Sequence, residues 1–273
     1  MDALRSWAEQ LAAWAIPERI LARTPESPWV LPQQVFVRRT ELQVARPGGA
    51  THDAAVAVLA EPGTVLDVGA GAGAVSLPLA PRLVAATAVD ENEAMLARYA
   101  EWAAALGVPA RLVAGSWPGV AGQVEPADLV VCGHVLYNVA DLAPFVAALT
   151  DHARRRVVAE LTEQHPLVSL NPLWRRFHGI ERPDGPTADD AVAALRQVGI
   201  DPTVTRSTRP ATADYGTFEE TVEVTRRRLC LPPDAASEVA AALRDLQLDP
   251  DTPPDLGSSG RRVVTLTWPG TAD

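Results

Sequence analysis

Two hydrophobic periods alternate along this 273-residue chain. Short apolar runs recur through its middle: Val65-Leu66 with Val68, Leu83–Val89, Ala110–Ala114, Ala127–Cys132 and Arg156–Leu161. Near-continuous runs of this length read as strands covered on both faces, the pattern of a parallel sheet flanked by helices. The N-terminus has a helical period instead. Leu4, Trp7, Ala8, Leu11, Trp14 and Ala15 fall on one face, Pro17 interrupts or restarts the helix, and Ile16, Ile20 and Leu21 continue its apolar side. Thr24–Pro32 is too rich in proline for a long helix and predicts a fixed loop. A short helix is expected through Ala74–Leu79, with Pro78 in its first turn, and another is capped by Thr187 or Asp189 and runs through Leu195. Thr203–Thr208 alternates like a strand and Arg262–Trp268 reads as a final one. Between them lie expected helices near Thr217–Leu229 and Asp234–Leu246, then a Pro/Gly/Ser-rich loop at Asp249–Gly260.

The first apolar run empties into Gly69-Ala70-Gly71-Ala72-Gly73, which removes every second side chain and lets a ligand approach the main chain. The next run ends in Asp90-Glu91. Strand, glycine turn, helix, strand and acid is the order in which an open α/β sheet presents a ligand crevice at its carboxyl edge. A dinucleotide turn would space its glycines Gly-x-Gly-x-x-Gly. Here the third glycine comes one residue early, and Asp67 stands two residues before the first. The early glycine argues against a nicotinamide-dependent oxidoreductase.

That Asp-x-Gly-x-Gly-x-Gly stretch, Asp67 to Gly73, resembles the first motif of class I S-adenosylmethionine-dependent methyltransferases. The resemblance covers roughly residues 60–200. It implies an α/β fold with a Rossmann-like, seven-stranded, mostly parallel sheet, and S-adenosylmethionine as cofactor with S-adenosylhomocysteine as product. By the same resemblance Gly69, Ala70, Gly71 and Gly73 approach the cofactor, and Asp67 orients that loop or the cofactor's amino group. Asp90 holds the ribose, with Glu91 and Met95 bordering the adenosine. A carboxylate suits that place because it accepts hydrogen bonds from both ribose hydroxyls. After the third strand come Gly115, Ser116 and Trp117. Ser116 replaces the family's usual acid, and Trp117 is placed to stack on the adenine.

The fourth strand leads into Gly133-His134-Val135-Leu136-Tyr137-Asn138. In the family this segment lies beside the methionine part of the cofactor and faces the acceptor, which makes His134 and Val135 cofactor neighbours and His134, Tyr137 and Asn138 candidate catalytic groups. His134 is the candidate base, with Tyr137, Asn138 or Glu160 as alternatives. Residues 1–60 form a helical N-terminal cap or lid in this reading. Residues 61–273 are the methyltransferase domain, with insertions at about 163–186 and 210–260. Trp29 and Phe36 from the cap, and Glu160, His165, Trp174 and His178 from beyond the fifth strand, are the candidate acceptor contacts. Cys132 lacks the preceding proline of RNA cytosine methyltransferases, since Val131 stands there, and reads as a small buried residue.

Composition narrows the alternatives. The formal charge is −10 and every basic residue is arginine, which disfavours a generally basic nucleic-acid surface. An RNA methyltransferase would have to act through a local patch such as Arg154-Arg155-Arg156 or Arg226-Arg227-Arg228. Two cysteines support neither a disulfide framework nor a thiolate zinc site, so no metal is expected and the reading is cytoplasmic. No long uncharged apolar run suggests a membrane span. The expected reaction is methyl transfer to a small-molecule acceptor, with a non-catalytic S-adenosylmethionine-binding partner module as the alternative.

Overall fold

The structure is a computed structural model and describes residues 2–29, 33–209, 216–247 and 249–273. Its strands are β1 (Gly63–Val68), β2 (Leu83–Asp90), β3 (Ala110–Ala114), β4 (Ala127–Gly133), β5 (Ala153–Thr162), β6 (Thr203–Thr208) and β7 (Arg262–Pro269). They form one sheet in the order β3-β2-β1-β4-β5-β7-β6. Strands β1 to β5 pair in parallel, and β7 lies antiparallel between β5 and β6. Because β6 is antiparallel to β7, it runs in the same direction as β5. Its carboxyl end therefore joins those of β1, β2, β4 and β5, and the long segment after Thr208 starts on the ligand edge of the sheet.

The helices are α1 (Ala3–Ala12), α2 (Glu18–Leu21), α3 (Gln33–Ala45), α4 (Ala50–Val58), α5 (Glu93–Ala105), α6 (Leu142–Asp151), α7 (Asn171–His178), α8 (Ala188–Gln197), α9 (Phe218–Arg228) and α10 (Ala236–Asp245). On one face of the sheet Ala55 and Leu59 of α4 and its end, with Leu96 and Tyr99 of α5, bury against Val65, Ala86 and Leu129. On the other, Trp7 of α1, Phe145 of α6 and Leu195 of α8 bury against Leu66, Val130 and Val157. Burial on both faces explains why the parallel strands read as continuous apolar runs. A third cluster joins Leu173 and Trp174 of α7 to Val222, Val239 and Leu243 of α9 and α10. The region between β6 and β7 thus has a small apolar core of its own, shared with the segment after β5.

Local signals account for several boundaries. Thr187 caps α8 in a reciprocal box with Asp190, and the Thr217 side chain accepts from Glu220 N at the start of α9. The helix expected through Ala74–Leu79 is absent. Residues 71–76 are turns, followed by a 3-10 segment over Leu77–Arg82. Pro78 and Pro81 lack the N–H donors an α-helix would need there. The proline-rich loop shows no regular element from Thr24 to Trp29, and residues 30–32 lie outside the described residues. Within the expected insertion at 210–260, residues 210–215 and 248 also lie outside them.

The N-terminal helices are fastened to the sheet's loops. The Trp7 indole donates to Val139 O at 2.8 Å and the Trp14 indole to Gly185 O at 2.6 Å. Arg38 of α3 pairs with Glu220 of α9 at 3.2 Å, and Arg226 of α9 reaches Glu26 at 2.6 Å. The N-terminal helices and the β6–β7 segment are therefore joined to each other as well as to the sheet.

Candidate functional site

A cavity of about 900 Å³ opens over the carboxyl edge of the sheet. Sites that bury drug-sized ligands run from about 300 to about 1,000 Å³, so this one is at the upper end. Its floor is the turn after β1. The Gly69 and Ala70 amides donate to Val89 O at 2.9 and 3.1 Å, tying the turn to β2. Gly71 N donates to Asp90 Oδ2 at 2.8 Å, and Asn92 N donates to Asp90 Oδ1 at the same distance. A carboxylate has about four acceptor positions, so Asp90 is oriented by two amides and retains capacity for a ligand.

The three glycines have different physical reasons. Gly71 (φ 53°) lines the cavity, and a Cβ there would meet nothing within 4 Å, so the position is open to a ligand. Gly69 (φ 70°) also lines it, and its Cβ would come within 2.3 Å of Val135 Cγ2. Gly73 (φ 93°) is a packing position, where a Cβ would fall 2.4 Å from Leu77 Cδ1, and it does not line the cavity. Asp67 is likewise beneath the site. It is 1 % exposed and accepts from the Ser76 hydroxyl at 2.5 Å, with Tyr99 Oη 2.9 Å from that hydroxyl. Burial pushes its carboxyl up to about 7, and the nearby Asp90 charge adds to the rise against the opposing Ser76 bond. Asp67 therefore holds the turn and does not reach a ligand.

Glu91, Met95, Gly115, Ser116 and Trp117 line the same end of the cavity as Asp90 and Ala70. Trp117 is held by a 3.3 Å bond from its indole to Phe145 O and by an edge contact with His152. Phe36 of α3 and Val135 and Asn138 after β4 also line the cavity.

The other end is polar. His134 (φ 61°) directly follows β4, and its amide donates to Glu160 O at 2.7 Å. Its ring Nε2 lies 2.8 Å from Glu160 Oε1, and the Arg209 guanidinium sits against both Nε2 and Oε1. Thr51 of α4 donates to Glu160 Oε2 at 2.5 Å and lies 2.7 Å from the Thr265 hydroxyl of β7. Burial, together with the Arg209 and Arg39 charges, pushes the His134 imidazole down to about 4 despite Glu160 beside it. Burial alone would raise Glu160. The hydrogen bond from His134, the Arg209 charge and the Thr51 hydroxyl outweigh it and hold the carboxyl well below its usual range. At neutral pH the group is a neutral imidazole between a carboxylate and a guanidinium.

Other candidates from the sequence lie elsewhere. The Tyr137 hydroxyl donates to Thr162 O at 2.8 Å and its ring stacks on Trp7, so this residue braces the loop from behind and does not line the cavity. His165 is buried against the Trp14 ring with centroids 4.1 Å apart. Trp174 belongs to the third apolar cluster, and the ring of His178 beside it bonds Leu229 O at 2.7 Å. Trp29 is half exposed. None of these four lines the cavity. The segment after β5 makes a core with α9 and α10 instead of a wall over the site. Thr51, Arg209 and Thr265 were not visible as candidates. Only Arg209 had a signal, since it directly follows the alternating stretch Thr203–Thr208.

Residues 65–156 match a family model described as a methyltransferase domain. No curated protein matches the chain. Among solved structures, a Synechocystis magnesium protoporphyrin IX methyltransferase with bound S-adenosylhomocysteine is 15% identical, with a TM-score of 0.51 over 93% of this chain and 94% of that one. An S-adenosylmethionine-dependent methyltransferase from Thiobacillus denitrificans, in complex with S-adenosyl-L-homocysteine, is 14% identical. Its TM-score is 0.50 over 88% of this chain and 99% of that one. At these identities the likeness is one of fold.

Proposed function

From the match of residues 65–156 to a methyltransferase-domain model and the likeness of fold, we propose that the chain transfers a methyl group from S-adenosylmethionine to a small polar acceptor. The observation that carries this reading is Asp90, fixed by the Gly71 and Asn92 amides at the rim of a cavity whose floor is the open Gly71 backbone. Asp90 accepts the two ribose hydroxyls, Gly69 and Gly71 let the main chain approach, and Met95 and Trp117 wall the adenine. The cofactor supplies a methyl group on a positively charged sulfur.

What the chain's own residues do is hold the acceptor and take its proton. His134 lines the cavity, and its Nδ1 has no hydrogen-bond partner among the described residues. Nε2 lies between the Glu160 carboxylate, which calls for a proton there, and the donor-only Arg209 guanidinium, which calls for a lone pair; in the Nε2–H form the Nδ1 lone pair is left for the acceptor's proton. Glu160 then stabilises the imidazolium formed as the methyl group moves. Thr51, Gln43, Ser207 and Thr208 make this end polar, which suits a small acceptor with its own hydrogen-bonding groups. In the arginine runs weighed for RNA, Arg155 pairs with Asp128, Arg226 with Glu223 and Arg227 with Glu26, which lends that alternative no support. Cys132 and Cys230 are free and buried, in keeping with a cytoplasmic reading.

Calorimetric titration tests the cofactor directly. S-adenosylhomocysteine is expected to bind and NADH is not; the reverse would overturn the proposal. Asp90→Ala is expected to weaken S-adenosylhomocysteine binding about 10- to 100-fold, the range for losing hydrogen bonds to a charged acceptor, with no loss of fold by circular dichroism. Unchanged affinity would remove Asp90 as the ribose contact.

A further inference from the structure

Among the described residues, the polar side chains that precede α-helices behave alike with one exception. Asp2 before α1, Asn92 before α5, Thr187 before α8 and Thr217 before α9 each accept a helix amide. Asp141, before α6, accepts none. Pro144 stands at the third position of that helix and has no N–H to offer it. The Asp141 carboxylate makes no other hydrogen bond or ion pair among the described residues, and it is exposed in the wall of the large cavity.

Its place in that wall is set by α6 and Trp117. Phe145 follows Asp141 by about one helical turn, which advances the chain by about 5.4 Å. The Phe145 carbonyl accepts the Trp117 indole at 3.3 Å, which brings the segment after β3 against the start of α6. Asp141, Pro144 and Phe145 line the cavity from the α6 side of this corner, and Ser116, Trp117 and Pro118 line it from the β3 side. The Ser116 hydroxyl, like the Asp141 carboxylate, has no hydrogen-bond partner among the described residues.

We propose that Asp141 reads the amino edge of the cofactor's purine, so that the site selects adenine over a base with an oxo group in the same place. This rests on the cofactor reading above and deepens it by naming what distinguishes the base. With the ribose on Asp90 and the base along Trp117, the exocyclic amine lies at the end of the base away from the sugar. Glu91 directly follows Asp90 and so stands beside the ribose, whereas Asp141 comes from the element that holds Trp117. A carboxylate only accepts; it pairs with an amine N–H and repels an oxo oxygen. A serine hydroxyl donates or accepts and favours neither base. Discrimination therefore falls to Asp141, with Ser116 able to bond either base.

The test is calorimetric titration of the full chain with S-adenosylhomocysteine and with S-inosylhomocysteine, in which an oxo group replaces the adenine amine. The wild type is expected to prefer the adenine compound about 10- to 100-fold, the range for a hydrogen bond to a charged acceptor. Asp141→Asn is expected to bring the two affinities within about threefold, because an amide can turn either its oxygen or its nitrogen to the base. Asparagine is also a favoured residue before a helix, and Asp141→Ser, equally suited to that position, replaces it should the first variant not fold. A wild type that binds the two compounds with equal affinity refutes the proposal, and so does a preference kept in a folded Asp141 variant. A preference that is lost in Glu91→Gln and kept in Asp141→Asn assigns the amine to Glu91 and refutes it equally. A wild type that binds neither compound takes down the cofactor reading itself. Tight S-adenosylhomocysteine binding with no response to Asp141 takes down the role of Asp141 alone.

Discussion

Asp67→Asn is expected to stabilise the protein more at pH 8 than at pH 5. Asp67 is fully buried beneath the glycine turn, where burial lifts its carboxyl from an ordinary 3.8 to about 7. The folded state therefore binds a proton more tightly than the unfolded chain does. Stability falls as pH rises from about 4 toward about 7, and the loss is complete above that. At 1.36 kcal/mol per pH unit the full cost of ionising this one group is about 4 kcal/mol, and about 2–3 kcal/mol of it accrues between pH 5 and pH 8. Asparagine keeps an oxygen to accept the Ser76 hydroxyl but cannot ionise. Its amide nitrogen adds a desolvation cost of about 1–3 kcal/mol, which does not depend on pH. The change in the mutant-minus-wild-type difference with pH thus isolates the titration. Urea unfolding at the two pH values measures it, provided the slopes agree between the proteins. An equal difference at pH 5 and pH 8, or a larger deficit of the mutant at pH 8, would refute the raised Asp67.

Two further substitutions separate the turn from its supports. Gly69→Ala is expected to cost at least about 1–2 kcal/mol from its left-handed backbone alone, with a further penalty from the Val135 clash, and pairing it with Val135→Ala should recover the clash portion in thermal melts. No recovery would mean that Val135 does not set the approach. Tyr137→Phe removes the 2.8 Å bond to Thr162 O and is expected to lower stability by about 1–2 kcal/mol while leaving S-adenosylhomocysteine affinity within twofold. A large affinity loss on calorimetry would return Tyr137 to the site.

The end of the cavity proposed for the cofactor was legible because it is local. Asp90 lies 19 residues from Gly71, and the turn, strand and acid follow one another in a single β1–β2 unit. Strand identity came from burial on both faces, which the composition of each run records directly. The side-chain roles inside that unit were less legible. Asp67 and Gly73 carry the motif as plainly as Gly71 does, yet one is under the floor and the other is packed against Leu77 and Tyr99. A spacing fixes where the backbone turns, and it does not say which of its residues face the ligand. The helix misplaced at Ala74–Leu79 has the same origin: apolar residues were present, but Pro78 and Pro81 removed the donors.

The end proposed for the acceptor was nearly invisible because no local segment encodes it. Thr51 and Thr265 are 214 residues apart, Thr51 and Glu160 are 109 apart, and Arg209 and His134 are 75 apart. Their meeting depends on strand order. Insertion of β7 between β5 and β6 pairs Thr265 with both Glu160 and Thr205, and the direction of β6 sends Arg209 to the same edge as His134. Aromatic residues after β5 were the more conspicuous candidates, since Trp174 and His178 are chemically distinctive, yet their apolar surface draws them into the core with α9 and α10. The same helices are tied to α3 by Arg38–Glu220. The walls proposed for the acceptor are drawn from α3, α4, β4, β5, β6 and β7, whereas the glycine turn and Asp90 belong to the β1–β2 unit. The physics that makes the donor end readable from one stretch of chain is therefore what leaves the acceptor end to tertiary structure.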